Sequence, residues 1–371
     1  MIIGIDGNEA NISHRVGSNE YAFELIKNLR SLKSPHKFVV YLNKPPLDDM
    51  PAVSNNWSYC FFGPGKFWTQ WRLPLQLFLR RPKIDVFLSP GHYAPRWSPV
   101  PVVASIMDLG FLKFPNQFTK RIFFQLKFWT GRSIKVSSHI LAISNQTKND
   151  IIREYKVPES KVTVTYPGYD EERFKSGISV SDINKVKIKY KIKERYVLYL
   201  GTLKPSKNIK GIIESFNLYI TQERIKDIQL VIAGKKGWMY NEILSLVGDL
   251  NLESRVVFTD FVSEEDIPPL MAGASVFLMP SFWEGFGIPV LEAMASGTPV
   301  VASNVGSLPE VVGKAGILVN PNNHNEISLA IKEAIKERDN LKSLGLKQVK
   351  KFSWSICAKQ TLEVLEKVNL K

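Results

Sequence analysis

Two carboxylates, Glu284 and Glu292, stand eight positions apart in a segment that reads WEGFGIPVLEA. Gly285 and Gly287 let backbone N–H groups approach a ligand closely, and Pro289 suits the first turn of a helix. An anion is favoured at such a helix start because the first N–H groups have no partners within the helix. The carboxylates could then accept hydrogen bonds from a polyhydroxylated ligand. The alternative is that Glu284 caps the helix and Glu292 is solvated.

The same segment carries a family resemblance. Glu-Gly-Phe-Gly-Ile-Pro, followed by Leu-Glu-Ala-Met-Ala-Ser-Gly-Thr-Pro-Val-Val-Ala-Ser, forms a Glu-x7-Glu pattern that resembles the nucleotide-sugar site of retaining glycosyltransferases of family 4. The resemblance extends over residues 4–21, 138–174, 201–216 and 256–321. It implies that the first glutamate binds the donor sugar, the second the nucleotide ribose, and the glycine turn the diphosphate. These roles fall on Glu284, Glu292 and the turn formed by Gly285, Phe286, Gly287 and Ile288.

Ten strand-like apolar runs alternate with helical stretches along both halves of the chain, which indicates parallel α/β sheets. The runs are IIGID, KFVVYL, DVFLS, VPVVASI and HILAIS in the first half, and YVLYLG, IQLVIAG, VVFTDFV, SVFLMPS and PVVAS in the second. The pattern is interrupted by the charged stretch KSGISVSDINKVKIKYKIKER, where a boundary is expected. The predicted architecture is the α/β GT-B fold, with two Rossmann-like doubly wound domains facing across a cleft. We expect an acceptor-side domain over residues 1–174 and a nucleotide-sugar domain over residues 175–353. By resemblance, residues 354–371 form a helix that returns to the first domain.

Length and composition agree with this architecture. A chain of 371 residues exceeds what one hydrophobic core usually organises. No apolar run reaches the roughly 18 residues of a membrane span, and the chain opens on a strand-like MIIGID rather than a signal peptide. Cys60 and Cys357 lack the spacing of a disulfide framework or zinc site. These features predict a cytoplasmic protein that needs neither metal nor cofactor, with its oligomeric state open.

Positive charge is concentrated in the first half. The net charge is +14, and residues 1–170 hold 22 Lys and Arg against 12 Asp and Glu. Basic and aromatic side chains interleave at residues 66–72 and 111–132. This mixture suits an anionic membrane surface as a peripheral partner. The alternative is that the aromatics face the core while Lys and Arg reach water. Nucleic acid is disfavoured because no nucleic-acid motif accompanies the charge.

The loop GTLKPSKN follows the strand YVLYLG, and a lysine here can hold a diphosphate. Lys207 aligns with the family's phosphate lysine. Relatives often carry arginines where Thr202 and Ser206 stand, and Lys204 could supply the missing charge. Glu310 is a weaker match, expected near the nucleotide or as a helix cap.

The opening segment GIDGNEANISHRVGSNEYAFELIKNL resembles the family's first strand, flexible loop and first helix. The resemblance implies that Gly17 is a hinge-like residue whose loop faces both the donor phosphates and the acceptor. Where relatives often have arginine, this chain has Glu20. Met107 occupies the place of a histidine that commonly contacts the donor sugar. Because a thioether is no hydrogen-bond donor, another group must make that contact or it is absent. Asp108 beside it is either an acceptor-side carboxylate or a structural cap.

With this resemblance, the sequence predicts a metal-independent, retaining glycosyltransferase. It would move a hexosyl unit, mannose or glucose, from a GDP- or UDP-linked donor to a saccharide or polyprenyl-linked saccharide. The catalytic residues expected are Glu284, Lys207 and Asp108, with Lys204 and Gly17 also at the donor. Two alternatives stay open: a nucleotide-sugar epimerase of related fold, and a catalytically degenerate adaptor that binds membranes.

Overall fold

A computed structural model describes residues 1–63, 65–79, 83–193, 195–235 and 240–370 of the chain. The chain divides into two compact units. Unit 1 comprises Met1–Gly168 and Ser353–Lys371, and unit 2 comprises Tyr169–Phe352. Glu194, in the expected boundary segment, and Lys371, at the end of the expected last helix, lie outside the described residues. The acceptor-side and donor-side roles of the two units stay predictions.

Unit 1 contains a seven-stranded parallel sheet with the order β3-β2-β1-β4-β5-β6-β7. Its strands are β1 (Ile2–Asp6), β2 (Lys37–Leu42), β3 (Trp57–Phe61), β4 (Val86–Ser89), β5 (Val102–Ile106), β6 (His139–Ala142) and β7 (Val162–Val164). Its α-helices are α1 (Ser18–Ser31), α2 (Leu73–Leu79), α3 (Gly110–Lys113), α4 (Lys120–Val136), α5 (Asn145–Tyr155) and α14 (Trp354–Asn369). A π-helical turn spans Trp68–Arg72, and 3-10 turns span Pro115–Gln117 and Glu159–Lys161.

Unit 2 contains a six-stranded parallel sheet with the order β10-β9-β8-β11-β12-β13. Its strands are β8 (Arg195–Leu200), β9 (Ile228–Ala233), β10 (Val256–Asp260), β11 (Val276–Met279), β12 (Val300–Ser303) and β13 (Ile317–Val319). Its α-helices are α6 (Val180–Lys189), α7 (Ile209–Gln222), α8 (Tyr240–Asp249), α9 (Ile267–Ala272), α10 (Ile288–Ala295), α11 (Leu308–Val312), α12 (His324–Lys336) and α13 (Arg338–Gln348). Single 3-10 turns span Pro205–Lys207 and Val349–Lys351.

The central strands are short runs of branched apolar residues that are buried on both faces, as expected when helices cover a parallel sheet on either side. The predicted α/β class with two parallel sheets is therefore confirmed. The prediction missed β3, β7 and β13, each of which lies at the edge of its sheet. The strands β7 and β13 are only three residues long, and Ser58 interrupts the apolar residues of β3, so these segments give a shorter or weaker sequence signal than the central strands.

The last helix, α14, belongs to the core of unit 1. It packs on α1, where the rings of Tyr21 and Trp354 meet edge to face with centroids 5.6 Å apart. Cys357 and Leu365 on the same helix are fully buried. The sequence after residue 352 thus completes the unit in which the chain begins.

Candidate active site

The sheet of unit 2 has a topological switch point between β8 and β11. These neighbouring strands are followed by connections that run toward opposite edges of the sheet. In open α/β sheets, ligands bind beyond the carboxyl ends of the strands at such a point. The loops over residues 201–208 and 280–287 therefore leave the sheet side by side.

The loop after β8 is pinned to the loop after β11. Asn208 adopts a left-handed backbone with φ 58°, and its side-chain amide donates to the carbonyls of Pro280 (3.1 Å) and Pro321 (2.7 Å). The backbone N–H of Phe282 donates to the carbonyl of Ser206 at 2.9 Å. These bonds fix the lysine-bearing turn between the two loops.

Lys207 and Glu284 are brought into direct contact. The ammonium group of Lys207 donates to both carboxylate oxygens of Glu284 at 2.6 and 2.7 Å, and the hydroxyl of Ser281 donates to Oε1 at 2.7 Å. The side chains of Lys207 and Glu284 are 23% and 11% exposed. An ammonium group has three donors, so Lys207 keeps one for a further acceptor. Removing one partner from a buried pair typically costs roughly 3–5 kcal/mol, because the other charge is left uncompensated.

Helix α10 begins at a turn that requires glycine. Gly287 has φ 97°, and a Cβ at this position would lie 2.6 Å from Cδ2 of Leu308. Glycine has no side chain to cap the helix, Pro289 has no N–H, and the N–H of Val290 donates to the carbonyl of Gly287 at 2.9 Å, so the turn can offer a ligand the N–H groups of Gly287 and Ile288. This is an arrangement that stabilises an anion.

The other residues predicted for this turn lie on or near the start of α10. The ring of Phe286 is buried against Phe352, with centroids 5.7 Å apart, so Phe286 can offer a ligand only its backbone. Gly285 and Ile288 are partly exposed, and Glu292 lies partly exposed in the second turn of α10. The predicted turn is thus formed by backbone groups, with Glu292 one turn further along the helix.

The loop between β12 and α11 contacts the backbone of Glu284. The side chain and backbone N–H of Ser307 both donate to the carbonyl of Glu284, at 3.0 and 3.3 Å. Gly306 has φ 67°, and a Cβ there would approach the same carbonyl to 3.0 Å. Glu310 lies in the first turn of α11, where a carboxylate favours the helix start.

Lys204 is exposed and lines a cavity of about 350 Å³ together with Asn208, Phe282 and His324. Thr202, at the place of a family arginine, is also exposed. Lys204 therefore lies in the same loop as Lys207 but is more exposed than Lys207, which contacts Glu284.

In unit 1, Gly17 precedes α1 with φ 58°, and no atom lies within 4 Å of a Cβ built on it. The side-chain amide of Asn19, in the first turn of α1, donates to the carboxylate of Glu9. Burial raises the pKa of Glu9, while a hydrogen bond from Ser18 lowers it. The loop that was expected to be flexible thus ends at Gly17, in open space before α1, and the carboxylate of Glu9 lies beside the first turn of that helix.

Asp108 makes a local contact: its Oδ1 accepts from the backbone N–H of Gly110 at 2.7 Å, at the start of α3. Met107 donates its backbone N–H to Nδ1 of His92 at 3.3 Å, and Nε2 of His92 lies 2.9 Å from Oγ1 of Thr130. Burial lowers the pKa of His92, against a smaller opposing effect of Asp108. A neutral imidazole that accepts at Nδ1 carries its proton on Nε2 and donates it to Thr130. His92 therefore fixes the backbone at Met107.

Asp6 ends β1 and is 7% exposed. The indole N–H of Trp68 donates to its two oxygens at 3.0 and 3.1 Å, and the backbone N–H of Asn8 donates at 3.1 Å. Desolvation by burial outweighs these bonds and raises the pKa of Asp6 to about 7. The sequence signal that would have found Asp6 is a carboxylate at the end of a buried strand.

Sequence reasoning did not identify Ser281, Asn208, Ser307, His92 or Asp6. The two serines and Asn208 carried no signal beyond their proximity to the motifs, because they act by orienting Glu284 and its loop. Among the described residues, no three His, Cys, Asp or Glu side chains are grouped as metal ligands, and no helix is both long and apolar enough to cross a bilayer.

Comparisons with known proteins show which protein family the chain matches. A family model described as Glycosyltransferase Family 4 matches residues 16–173, and one described as Glycosyl transferases group 1 matches residues 180–350. The chain is 29% identical over 364 residues to O-antigen chain mannosyltransferase B of Escherichia coli, covering 93% of this chain and 94% of that protein.

Solved structures show the same fold over the whole chain. HepE of Anabaena, in complex with UDP and glucose, superposes with a TM-score of 0.74 at 21% identity, covering 98% of this chain and 99% of HepE. Sucrose-phosphate synthase of Thermosynechococcus elongatus superposes with a TM-score of 0.76 at 18% identity, covering 99% of both chains. The fold and the family models together define a glycosyltransferase of the GT-B class. The chain belongs to glycosyltransferase family 4, as the sequence motifs predict.

Proposed function

We propose that the protein transfers mannose or glucose, with retention of anomeric configuration, from a nucleotide diphosphate sugar to a hydroxyl of a saccharide acceptor. The observation that carries the proposal is the cluster of Lys207, Glu284 and Ser281 beside the glycine-marked start of α10. A diphosphate needs cations and N–H donors, whereas a hexose needs hydrogen-bond acceptors. The two loops at the switch point offer all of these.

The donor is either GDP- or UDP-linked. The similarity to an O-antigen chain mannosyltransferase favours mannose, and the fold shared with HepE, which holds UDP and glucose, favours a uridine nucleotide and glucose. We assign the nucleotide ribose to Glu292, because it lies one turn along α10 from the expected diphosphate position. Ribose hydroxyls suit a carboxylate acceptor.

Charge on the leaving diphosphate grows as the glycosidic bond breaks. Lys207 and the N–H groups of Gly287 and Ile288 are positioned to stabilise that charge, with Lys204 as a further cation. Groups that bind the transition state more strongly than the substrate accelerate the step. Because the lysines and the backbone N–H groups balance the negative charge of the diphosphate, the proposed mechanism needs neither a metal ion nor a cofactor.

Glu284 positions the sugar in this mechanism and does not attack it. Both of its oxygens are engaged by Lys207, and one of them also by Ser281, so a nucleophilic role would require breaking these bonds. Retention then follows from attack on the same face of the sugar, with the leaving phosphate accepting the proton of the acceptor hydroxyl. The alternative for a retaining enzyme is a covalent glycosyl-enzyme intermediate.

Unit 1 supplies the acceptor side of the proposal. Gly17 leaves the start of α1 open, and the cap that Asp108 makes to Gly110 orders the loop after β5. We therefore treat Asp108 as a positioning residue of the acceptor side. The acceptor would be a saccharide carried on a polyprenyl lipid at the cytoplasmic face of a membrane.

The test is turnover with GDP-mannose, UDP-glucose and UDP-galactose, each with a saccharide acceptor and a polyprenyl-linked saccharide, with and without EDTA. The expected result is release of one nucleoside diphosphate with stoichiometric transfer, retained anomeric configuration by NMR, and no effect of EDTA. An inverted product, or loss of activity in EDTA, would overturn the mechanism. Isomerised donor without transfer would indicate an epimerase, and no nucleotide release with any donor would indicate a non-catalytic adaptor.

A further inference from the structure

The basic and aromatic segments noted in the sequence form one exposed surface on unit 1. Lys66, Phe67 and Gln70, from the segment 66–79, line a groove of about 600 Å³ together with Arg121, Phe124 and Phe128 from α4. We name the groove and the exposed residues of these two segments the aromatic groove. Neither segment alone shows this arrangement in the sequence.

Large side chains are exposed here to an unusual degree. Phe67 is 59% exposed, Phe124 65% and Phe128 61%. Among the described residues, five of the seven aromatic side chains in the group of exposed large hydrophobics belong to this surface: Phe67, Trp71, Phe78, Phe124 and Phe128. An apolar surface of this kind marks a contact with a partner.

The local backbone holds these rings outward. Phe67 adopts a left-handed conformation with φ 57°, which is unfavourable for a bulky residue. Phe124 and Phe128 are four positions apart on α4, and therefore share one helix face with Arg121. The buried residues of α4 are Thr130, Ser133 and Ile134, all in its second half. The first half of the helix thus presents aromatic side chains that the core of unit 1 does not bury.

The charge of the surface determines the kind of partner. Residues 50–84 and 109–149 contain no Asp or Glu, while they contain five and seven Lys or Arg respectively. The Lys66 ammonium lies 5.5 Å from the centroid of the Phe67 ring, and Arg121 lines the same groove. A surface that combines basic groups with protruding rings and no acids complements a bilayer with anionic headgroups, where the rings reach the acyl boundary.

We infer that the aromatic groove docks unit 1 on an anionic phospholipid bilayer. Lys66 and Arg121 contact lipid phosphates, and Phe67, Phe124 and Phe128 enter the interfacial layer. Trp68, next to Phe67, donates to Asp6 at the carboxyl end of β1, so the docked segment is tied directly to the strand ends of unit 1. The inference rests on the proposed function in one respect: it identifies where the enzyme would meet a lipid-linked acceptor.

The test is cosedimentation with vesicles of phosphatidylglycerol and of phosphatidylcholine, at low salt and at about 0.5 M salt. Two variants of the full chain are compared with wild type: Phe124→Ser/Phe128→Ser and Lys66→Glu/Arg121→Glu. The matched controls lie in unit 2. Val180→Ser/Ile188→Ser removes two side chains that are 72% and 79% exposed, and Lys347→Glu/Lys350→Glu makes the same change of charge at exposed positions.

We expect wild type to bind phosphatidylglycerol vesicles at low salt and to bind phosphatidylcholine at least about tenfold more weakly. Each groove variant should lose about tenfold or more of the affinity, while both controls stay within about twofold. Thermal unfolding and the nucleotide-induced shift of the melting temperature should be unchanged in the groove variants. That readout separates failure of docking from failure of the donor site.

Three outcomes would overturn the inference. The first is no binding to anionic vesicles at low salt. The second is equal loss in the controls and the groove variants, which would show attraction by net charge alone. The third is that the groove variants keep vesicle binding but lose binding to single-stranded nucleic acid or self-association, which would show that the groove has another partner.

Discussion

The two sheets share a parallel, doubly wound topology, but their carboxyl edges have opposite electrostatic character. In unit 2, neighbouring loops place Lys207 against Glu284, so a cation is held ready beside the helix start. In unit 1, the corresponding edge carries the buried carboxylate of Asp6 and the partly buried carboxylate of Glu9, and desolvation raises the pKa of each. The same topology thus produces an edge suited to an anionic diphosphate in one unit, and an edge with incompletely compensated carboxylates in the other. The difference comes from the loop sequences and not from the strands.

The largest effect expected from this comparison is that of Glu284→Ala. The change leaves the Lys207 ammonium without its carboxylate and removes the acceptor for the donor sugar, so kcat/KM should fall about 10³-fold. Glu284→Gln keeps the shape and the bond from Ser281, and should lose less. Steady-state release of nucleoside diphosphate measures both, with the exposed Glu333→Ala as the control. Activity within about threefold of wild type in Glu284→Ala would remove Glu284 from the site.

Lys207→Ala and Lys204→Ala compare two lysines of one loop. Lys207, which contacts Glu284, should matter about 10²-fold in kcat, because we propose that it stabilises charge that develops on the leaving group. Lys204 is more exposed and should matter no more than about tenfold. Lys210→Ala, on α7, where Lys210 pairs with Glu242, is the control. The assignment of the phosphate lysine would be reversed if Lys204→Ala had the larger effect.

Gly287→Ala and Gly17→Ala test the glycines that precede α10 and α1. Both residues have positive φ, but a Cβ at Gly287 would lie 2.6 Å from Leu308, whereas a Cβ at Gly17 meets nothing within 4 Å. Gly287→Ala, which adds a clash to the backbone strain, should lower the free energy of unfolding by about 3–5 kcal/mol, and Gly17→Ala, which adds strain alone, by about 1–3 kcal/mol. Chemical denaturation of the two variants measures the difference. Equal losses would show that the turn before α10 can adjust, contrary to the packing seen.

Asp6→Asn tests the carboxylate edge of unit 1. Burial raises the pKa of the Asp6 carboxyl from 3.8 to about 7. Between these pH values, the native state therefore holds a proton that the unfolded chain has lost. The contribution of protonated Asp6 to the free energy of unfolding is fully present below pH 3.8 and is lost as pH rises through about 7. Asn resembles the protonated form, so at pH 8 the variant should be more stable than wild type by about 1–2 kcal/mol, with little difference near pH 4. Urea unfolding at both pH values measures this, and a variant that is less stable at pH 8 would contradict the burial argument.

Much of this structure follows from the sequence, and the remainder has identifiable physical causes. Ten apolar runs marked all the central strands and the edge strand β10, because parallel strands covered on both faces need continuous apolar residues. The edge strands β7 and β13 are only three residues long, and Ser58 interrupts β3, so they were missed. Lys207 and Glu284 were each found from motifs, but their contact spans 77 positions and depends on β8 and β11 being neighbours.

Contacts that depend on side-chain direction could not be predicted from spacing. The indole of Trp68 reaches Asp6 across 62 positions, and the imidazole of His92 supports Met107 from another loop. In the same way, each half of the aromatic groove was visible in the sequence, but only the fold brings Phe67 and Phe124 to one groove. Residues that orient others carry no motif of their own.

The most direct test of the account is calorimetric titration of GDP, UDP, GDP-mannose and UDP-glucose into wild type, Lys207→Ala and Glu292→Ala. The central claim is that unit 2 holds the donor nucleotide at the switch-point loops and α10. It predicts that one nucleotide class binds selectively, and that each variant weakens that binding about tenfold or more. Binding of no nucleotide, or selective binding that both variants leave unchanged, would contradict it.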